Sequence, residues 1–283
     1  MNAHQIVARA RSLPQVSSAA LRLAQLLDDS ANGFDEAAAI IKSDALLTAK
    51  LLRACNSSAF GLSEQIASVE QAFMLLGVNE VRRVVLALSF GKVMNAEWPG
   101  VSAEPDALWE HTLMTAAAAE TLVLRGLCPD IEPAAVYTAG LLHDIGKVVM
   151  SQVISPDEQR VIANHIQAEG LDTVEAEREV LGTDHAEVGA CLLYVWRIPP
   201  VVIEAVSKHH DPVINPRPRI SAVVHVANRI AHLASGEGVE DRHKFVPDEP
   251  IAAAFNWSES EQEALIAAAH QSLERARELQ AIA

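Results

Sequence analysis

The sequence Gly140-Leu141-Leu142-His143-Asp144-Ile145-Gly146-Lys147 places a histidine directly before an aspartate within an otherwise apolar segment. The apolar residues on both sides of the pair predict a buried helix. A buried helix gains nothing from two adjacent ionisable groups unless they bind something, because taking them out of water costs free energy. Neutral imidazole and carboxylate are both ligands of divalent transition metals. The pair therefore predicts a metal site within a helical core.

The composition of the whole chain favours helices over sheets. Half of the 283 residues are hydrophobic, whereas aromatic residues make up only 4%. Alanine and leucine dominate the apolar set, and both are strong helix formers. Between residues 98 and 105 the helical period stops, and Pro99, Gly100 and Pro105 cluster there. We expect an all-α fold, with an N-terminal helical subdomain over residues 1–100 and a helical bundle with a C-terminal helix over residues 101–283.

Charge and cysteine content limit the partners and the compartment. The formal net charge of −15 disfavours direct nucleic-acid binding and attraction to anionic membranes, since both require a basic surface. No apolar run is long enough to span a membrane, and residues 1–11 lack the apolar segment of a signal peptide. Cys55, Cys128 and Cys191 stand singly, which is typical of a reducing compartment. These features predict a cytoplasmic protein.

Local signals place the candidate residues on particular helices. Glu132-Pro133 begins the predicted helix that carries His143 and Asp144, with proline in its first turn. Capping signatures predict helix starts at Ser68, Ser155, Asp184 and Ser258.

His111 lies on a predicted helix with Leu108, Thr115 and Ala118 on the same face. That face is largely apolar, so we expect the imidazole to point inward. Taken alone, His111 is better explained as a core histidine bonded to a backbone carbonyl, because buried polar groups find partners without being functional.

Asp144 and Lys147 are the residues that would contribute to catalysis. Adjacent helical residues point about 100° apart, so His143 and Asp144 would straddle a metal between helices. Lys147 lies one turn beyond His143 and would either pair with Asp144 or offer a cation to a phosphate oxygen. The alternative is an ordinary ion pair at a helix end, which contributes little stability.

His185, His209 and His210 are the other candidate ligands. His185 falls in the first turn of its helix, where the helix dipole favours the neutral imidazole that a metal requires. It is also compatible with an exposed helix start. His209 and His210 close the helix that begins at Pro200, where the dipole alone would favour histidine.

One more helix, from about Ser221, carries Asn228 between His225 and His232. Asn228 lies well off the centre of the apolar stripe, and we expect His225 and His232 to face solvent. Nucleotide-binding glycine loops, a nucleophilic serine elbow and the HExxH zinc motif are missing from the sequence.

The order of these residues resembles the HD superfamily of metal-dependent phosphohydrolases, and the N-terminal part narrows the resemblance to the HDOD domain, the HD-related output domain of bacterial signalling proteins. The similarity covers about residues 13–228. The segments that carry it are Leu13-Pro14, residues 40–46, residues 51–57, residues 69–77, Trp109 with His111, residues 182–189, and Trp196 with Pro199.

The resemblance implies an N-terminal helical subdomain packed on an HD-like helical bundle, a role in signal transduction, and a metal site. The implied ligands are His111, His143, Asp144, His185, His209, His210 and Asn228. Active HD enzymes would have an aspartate at Asn228, and an amide offers an oxygen without charge. We therefore expect one of two metals to bind weakly. The Gly-Tyr-Pro signature of the cyclic-dinucleotide phosphodiesterases is also missing after His210.

Three functions remain open at this point. The first is a non-catalytic signalling module that acts through other signalling proteins. The second is a phosphohydrolase or phosphodiesterase acting on a nucleotide or cyclic dinucleotide, with one or two ions of iron, manganese or zinc. The third is an assembly protein whose metal is structural.

Overall fold

The computed structural model describes residues 1–10, 16–26, 31–62, 65–94, 107–126, 128, 130–212, 219–235, 253, 255 and 258–280. The helices are α1 Ala3–Arg9, α2 Ser18–Gln25, α3 Ala31–Lys42, α4 Ala45–Cys55, α5 Val69–Leu76, α6 Val78–Met94, α7 Ala107–Leu124, α8 Pro133–Leu142, α9 Ile145–Ser151, α10 Pro156–Glu169, α11 Thr173–Leu181, α12 His185–Val195, α13 Pro200–Ser207, α14 Ile220–Ser235 and α15 Glu259–Gln280. These ranges also contain a short 3-10 helix, Ser58–Phe60, and no strand. The predicted all-α class is confirmed.

The N-terminal helices α2 to α5 form one apolar core with the first half of α6. Leu23, Ile41 and Leu51 are fully buried there. The second half of α6 turns to a different core, since Phe90 lies among residues of the later helices. The long helix α6 thus joins an N-terminal helical subdomain to the bundle.

The bundle is built around α7, which contacts α8, α14 and α15. Nearly every α7 side chain is buried, which is expected of a helix enclosed on all sides. The C-terminal helix α15 is fixed to α7 by two bidentate ion pairs, Arg125 with Glu261 and Arg277 with Glu110. None of the described helices combines the length and the hydropathy that crossing a membrane requires.

Helix α1 packs against the bundle rather than against the other N-terminal helices. Its Ile6 and Val7 belong to the bundle core, and the Met1 amino group donates to the Leu181 carbonyl. The division predicted near residue 100 falls within residues 95–106, which lie outside the described residues, as does Leu13-Pro14. The boundary at residue 100 between residues 1–100 and 101–283 therefore stays a prediction.

Several predicted helix ends are found in the structure. Ser68, Ser155 and Asp184 each cap a helix through a side-chain oxygen, because the required hydrogen bonds are local. Two predicted ends are wrong. Helix α8 ends at Leu142 and α9 begins at Ile145, so His143 and Asp144 lie in the junction between two helices. Helix α13 ends at Ser207, which leaves His209 and His210 in the turn after it.

Candidate metal centre

Two glycines of the His-Asp segment allow the helices around it to approach closely. A Cβ atom at Gly140 would lie 2.7 Å from the Ala116 Cα. Helix α8 can therefore contact the backbone of α7 at this point only because residue 140 has no side chain. A Cβ at Gly146 would overlap the His185 carbonyl oxygen and lie 2.7 Å from the Gly189 nitrogen. The segment therefore brings α7 and α12 to either side of the junction that carries His143 and Asp144.

The Asp144 carboxylate lies at the centre of four histidines. Its Oδ2 is 3.3 Å from His143 Nε2 and 3.9 Å from His111 Nε2. Its Oδ1 is 3.3 Å from His185 Nε2 and 3.9 Å from His209 Nε2. Each oxygen thus faces a different pair of histidines, and the carboxylate connects the two halves of the site.

The site divides into two groups of donor atoms with metal-ligand spacing. We call His111, His143 and Asp144 the HD group, and His185, His209 and His210 the triple-histidine group. Within the second group His185 Nε2 is 2.9 Å from His210 Nε2. The structure thereby brings six of the seven predicted ligands together.

Three of these histidines are held by hydrogen bonds from their Nδ1 atoms. Such bonds fix the ring orientation and turn Nε2 toward the site. The acceptors are the Gly140 carbonyl for His143 (2.8 Å), the Val206 carbonyl for His209 (2.6 Å) and the Glu177 carboxylate for His185 (2.7 Å).

The protonation states around Asp144 suit a cation. Burial lowers the pKa of His111 well below its usual value, and neighbouring His143 lowers it further. Burial and the neighbouring His210 do the same for His209. Burial opposes ionisation of Asp144, but the charges of His143 and Lys147 hold the pKa of the carboxyl well below its ordinary range. The Asp144 carboxylate and the neutral imidazoles of His111 and His209 are therefore in the form in which these side chains bind a metal.

His185 differs from the prediction of a neutral imidazole. Burial lowers its pKa, but the carboxylates of Glu177 and Asp144 outweigh that effect and raise it to about 9. The helix dipole is therefore not the dominant influence, because two charged groups lie within contact distance. A metal that binds His185 Nε2 at neutral pH has to displace a proton.

Lys147 approaches the same carboxylate from the outside. Its Nζ lies 2.7 Å from Asp144 Oδ2, and its side chain is 28% exposed, whereas that of Asp144 is 2% exposed. The sequence left two possible partners for Lys147, Asp144 or a phosphate oxygen. The structure shows the ion pair with Asp144.

Several polar atoms of the site are buried without hydrogen-bond partners. These atoms are both ring nitrogens of His111, His143 Nε2, Asp144 Oδ1 and His209 Nε2. Leaving one such group unsatisfied costs about 1–3 kcal/mol, so a cluster of them is unfavourable unless a ligand occupies it. The donor set therefore fits a divalent transition ion.

Helix α14 contributes more to the site than the sequence predicted. Asn228 is buried, so its side chain points inward. His232, one turn later, packs on His111 with the ring centres 4.4 Å apart, and burial followed by the charge of Lys147 lowers its pKa to about 4. His225 Nδ1 donates to the His209 carbonyl at 2.8 Å. The prediction that His225 and His232 face solvent is wrong, although the four-residue spacing from Asn228 to His232 already places both on one helix face.

A third cluster of possible ligands lies on the outside of α10 and α11. His165 Nδ1 is 3.3 Å from a Glu169 oxygen and 3.4 Å from a Glu179 oxygen. Both glutamate side chains are more than half exposed. Ordinary ion pairs at the surface account for this arrangement. The cluster is therefore a suitable control in experiments on metal binding.

Glu177 is expected to position His185, because one of its oxygens accepts from both the His185 backbone nitrogen and Nδ1. We predict that Glu177→Ala weakens metal binding about 10–100-fold, as the loss of a partner behind a ligand typically does. Glu177→Gln keeps an acceptor and should recover part of the loss. Chelator competition measures both, with Glu175→Ala on the same helix as the control. Unchanged affinity in Glu177→Ala would show that His185 needs no such support.

Residues 13–212, more than half of the chain, match the HDOD domain family. An uncharacterized protein of Treponema pallidum (strain Nichols) is 27% identical over 244 residues, which are 83% of this chain and 45% of that protein. The chain thus spans less than half the length of this relative. The uncharacterized protein YuxH of Bacillus subtilis (strain 168) is 46% identical over 50 residues, which are 18% of this chain and 12% of that protein.

Solved structures share the fold over nearly the whole chain. An HDOD domain protein of unknown function from Geobacter sulfurreducens superposes with a TM-score of 0.71 at 24% identity, covering 99% of this chain and 97% of that one. A candidate phosphohydrolase from Shewanella amazonensis SB2B gives a TM-score of 0.70 at 22% identity, covering 97% of each chain. At these identities the likeness concerns the fold. The extent of the sequence match shows that the chain belongs to the HDOD domain family.

Proposed function

We propose that the chain is a signal-transduction module that binds a divalent transition metal and acts through protein interactions rather than through catalysis. The observation that supports it most is the buried Asp144 carboxylate, which lies among histidines of both groups, three of which (His111, His143 and His209) have inward nitrogens without hydrogen-bond partners. His111, His143, Asp144, His185, His209 and His210 would hold iron, manganese or zinc, as one or two ions. Asn228 would add at most a neutral oxygen.

Two features favour a non-catalytic role. Asn228 stands where the resemblance to HD enzymes expects an aspartate, which removes a charge from the HD group. The ligands are also enclosed, since His143, Asp144, His185 and His209 are each at most 1% exposed. A ligand that approaches from solvent would first meet His210 and Lys147, and Lys147 is already paired with Asp144.

The alternative is a phosphohydrolase or phosphodiesterase acting on a nucleotide or cyclic dinucleotide. The position of Lys147 supports it, because a partly exposed cation beside the site could bind a phosphate oxygen. A bound divalent ion would polarise the phosphoryl group and lower the pKa of water. In this reading Asp144 holds the ion and Lys147 orients the phosphate. A relative of the fold named a candidate phosphohydrolase is compatible with this possibility.

The two functions are separated by hydrolysis assays on chain loaded with iron, manganese or zinc. Phosphate release is measured for nucleoside mono-, di- and triphosphates, and conversion to the linear product is followed by chromatography for cyclic dinucleotides. We expect no hydrolysis above that of Asp144→Ala. Hydrolysis that depends on bound metal and falls about 100-fold in Lys147→Ala would establish the enzyme instead.

Asn228→Asp is expected to strengthen metal binding, because it introduces a carboxylate at a buried position on α14, one turn before His232, whose ring packs on His111. We predict at least a tenfold gain in affinity, about 1.4 kcal/mol, for the more weakly bound ion. The metal-free variant should be less stable than the parent, since its extra charge is buried. Metal titration with Asn228→Ala as the matched control measures the gain. Equal affinity in the aspartate and alanine variants would place Asn228 outside the coordination sphere.

A further inference from the structure

His111 is held differently from three other buried histidines of the candidate metal centre. The Nδ1 atoms of His143, His185 and His209 each make a hydrogen bond to an oxygen, at 2.8, 2.7 and 2.6 Å. Such a bond behind a ligand histidine fixes its ring orientation. Among the described residues, neither ring nitrogen of His111 has a hydrogen-bond partner, although the residue is only 7% exposed. Contacts other than hydrogen bonds therefore orient the His111 ring.

The ring of His232 packs directly on that of His111. The two ring centres are 4.4 Å apart, and the planes are inclined by 38°. The ring centre of His143 is farther away, at 5.3 Å, and its plane is inclined by 55°. Rings at such distances attract each other when they are offset or tilted. Of the two ring contacts described for His111, the one with His232 is therefore the closer.

The helices that carry the two rings are fixed to each other beside them. Helix α14 packs against α7, and α15 packs on both. One buried apolar cluster joins the three helices and consists of Met114, Ala231, Ala269 and Leu273. Met114 lies one turn after His111 on α7. Ala231 directly precedes His232 on α14. The cluster therefore holds α7 and α14 at the separation at which the two rings pack.

We propose that His232 is a positioning residue for His111. Its ring face takes the role that an oxygen acceptor has for the other three histidines, and it keeps His111 Nε2 directed at Asp144 Oδ2, 3.9 Å away. His232 itself belongs to neither group of donor atoms. The inference rests on the proposed metal-binding function and deepens it, because it names a residue outside the ligand set that sets the affinity of the HD group.

The test is titration of the metal-free full chain with Co²⁺, followed through the visible absorption bands of the bound ion. His143→Ala identifies the binding step of the HD group, because that step is lost in this variant. We expect His232→Ala to weaken the same step about tenfold, at the lower end of the range for losing a residue that orients a ligand. The absorption bands should also shift, because His111 no longer has a fixed orientation.

Three further variants separate the ring from the rest of the side chain. His232→Phe keeps a ring face against His111 and should bind Co²⁺ within about threefold of the parent. His232→Leu fills similar space without a ring, and it should lose as much affinity as His232→Ala. It also provides a second measurement if the alanine variant is poorly folded, which circular dichroism establishes. His270→Ala removes an exposed histidine of α15 and should bind as the parent does.

The outcomes distinguish this inference from the proposed function. Parent-like affinity in folded His232→Ala and His232→Leu chains would overturn it, since His111 would need no ring beside it. Equal losses in His232→Phe and His232→Ala would overturn it as well, because an imidazole nitrogen rather than a ring face would then be required. Both results leave the metal-binding function intact. A parent chain that binds no Co²⁺ would instead contradict that function, and this inference with it.

Discussion

Replacing Asp144 with alanine is expected to remove metal from both groups at once. Its two oxygens face different histidine pairs, and no other carboxylate among the described residues lies between them. Removing a residue that hydrogen-bonds a metal ligand typically lowers metal affinity about 10–100-fold. Removing Asp144, the ligand that both groups share, should lower it at least about 100-fold. Lys147 also loses its partner in this variant, which adds positive charge beside the remaining imidazoles.

Metal per chain after dialysis, measured by mass spectrometry, is the appropriate readout. Asp144→Asn has nearly the same shape and should show the same loss with less disturbance of packing. The control is His165→Ala, which removes the exposed cluster on α10 and α11 and should leave tightly bound metal unchanged. Circular dichroism establishes that each variant is folded. A folded Asp144→Ala chain with the metal content of the parent would contradict the shared-ligand arrangement.

Gly146→Ala is expected to destabilise the fold strongly. The added methyl would overlap the His185 carbonyl oxygen and press on the Gly189 nitrogen. Both are backbone atoms of α12, so relief requires α9 and α12 to move apart. Inserting a methyl group into such a tight contact should lower the free energy of unfolding by about 3 kcal/mol or more, which is at the upper end of the range for overpacked sites.

Urea unfolding of the metal-free chain measures this effect. Gly170→Ala is a matched control, since its methyl would enter open space and its cost, about 1 kcal/mol, comes only from a left-handed φ of +72°. The separation of α9 from α12 should also move Asp144 away from His185, so we expect weaker metal binding in any folded fraction. Equal stability of the two variants would show that the contact between these helices is not tight.

The fold was largely predictable, because its signals are local. Apolar spacing and residue composition indicated helices, and Ser68 and Ser155 marked helix starts through hydrogen bonds that span three residues. The break after Leu142 was not predicted, because Leu141, Leu142 and Ile145 continue the apolar pattern across it and no proline interrupts the segment. It follows from close packing of Gly140 and Gly146 against two different helices.

The site was predictable in its residues and less so in its electrostatics. His143 and Asp144 were conspicuous because ionisable groups are rare in apolar segments. The orientation of His232 depends on the packing of α14 against α7, and the raised pKa of His185 depends on Glu177, which belongs to another helix. The ion pair between Arg83 and Glu120 also arises from tertiary contact, since the two residues lie on different helices. Such long-range pairs leave no local pattern.

The most direct test of the account is the metal content of the parent chain purified under metal-replete conditions. We expect about one to two ions of iron, manganese or zinc per chain to survive dialysis, with histidine nitrogens detected in their X-ray absorption spectrum. A folded chain that retains none of these metals would contradict it.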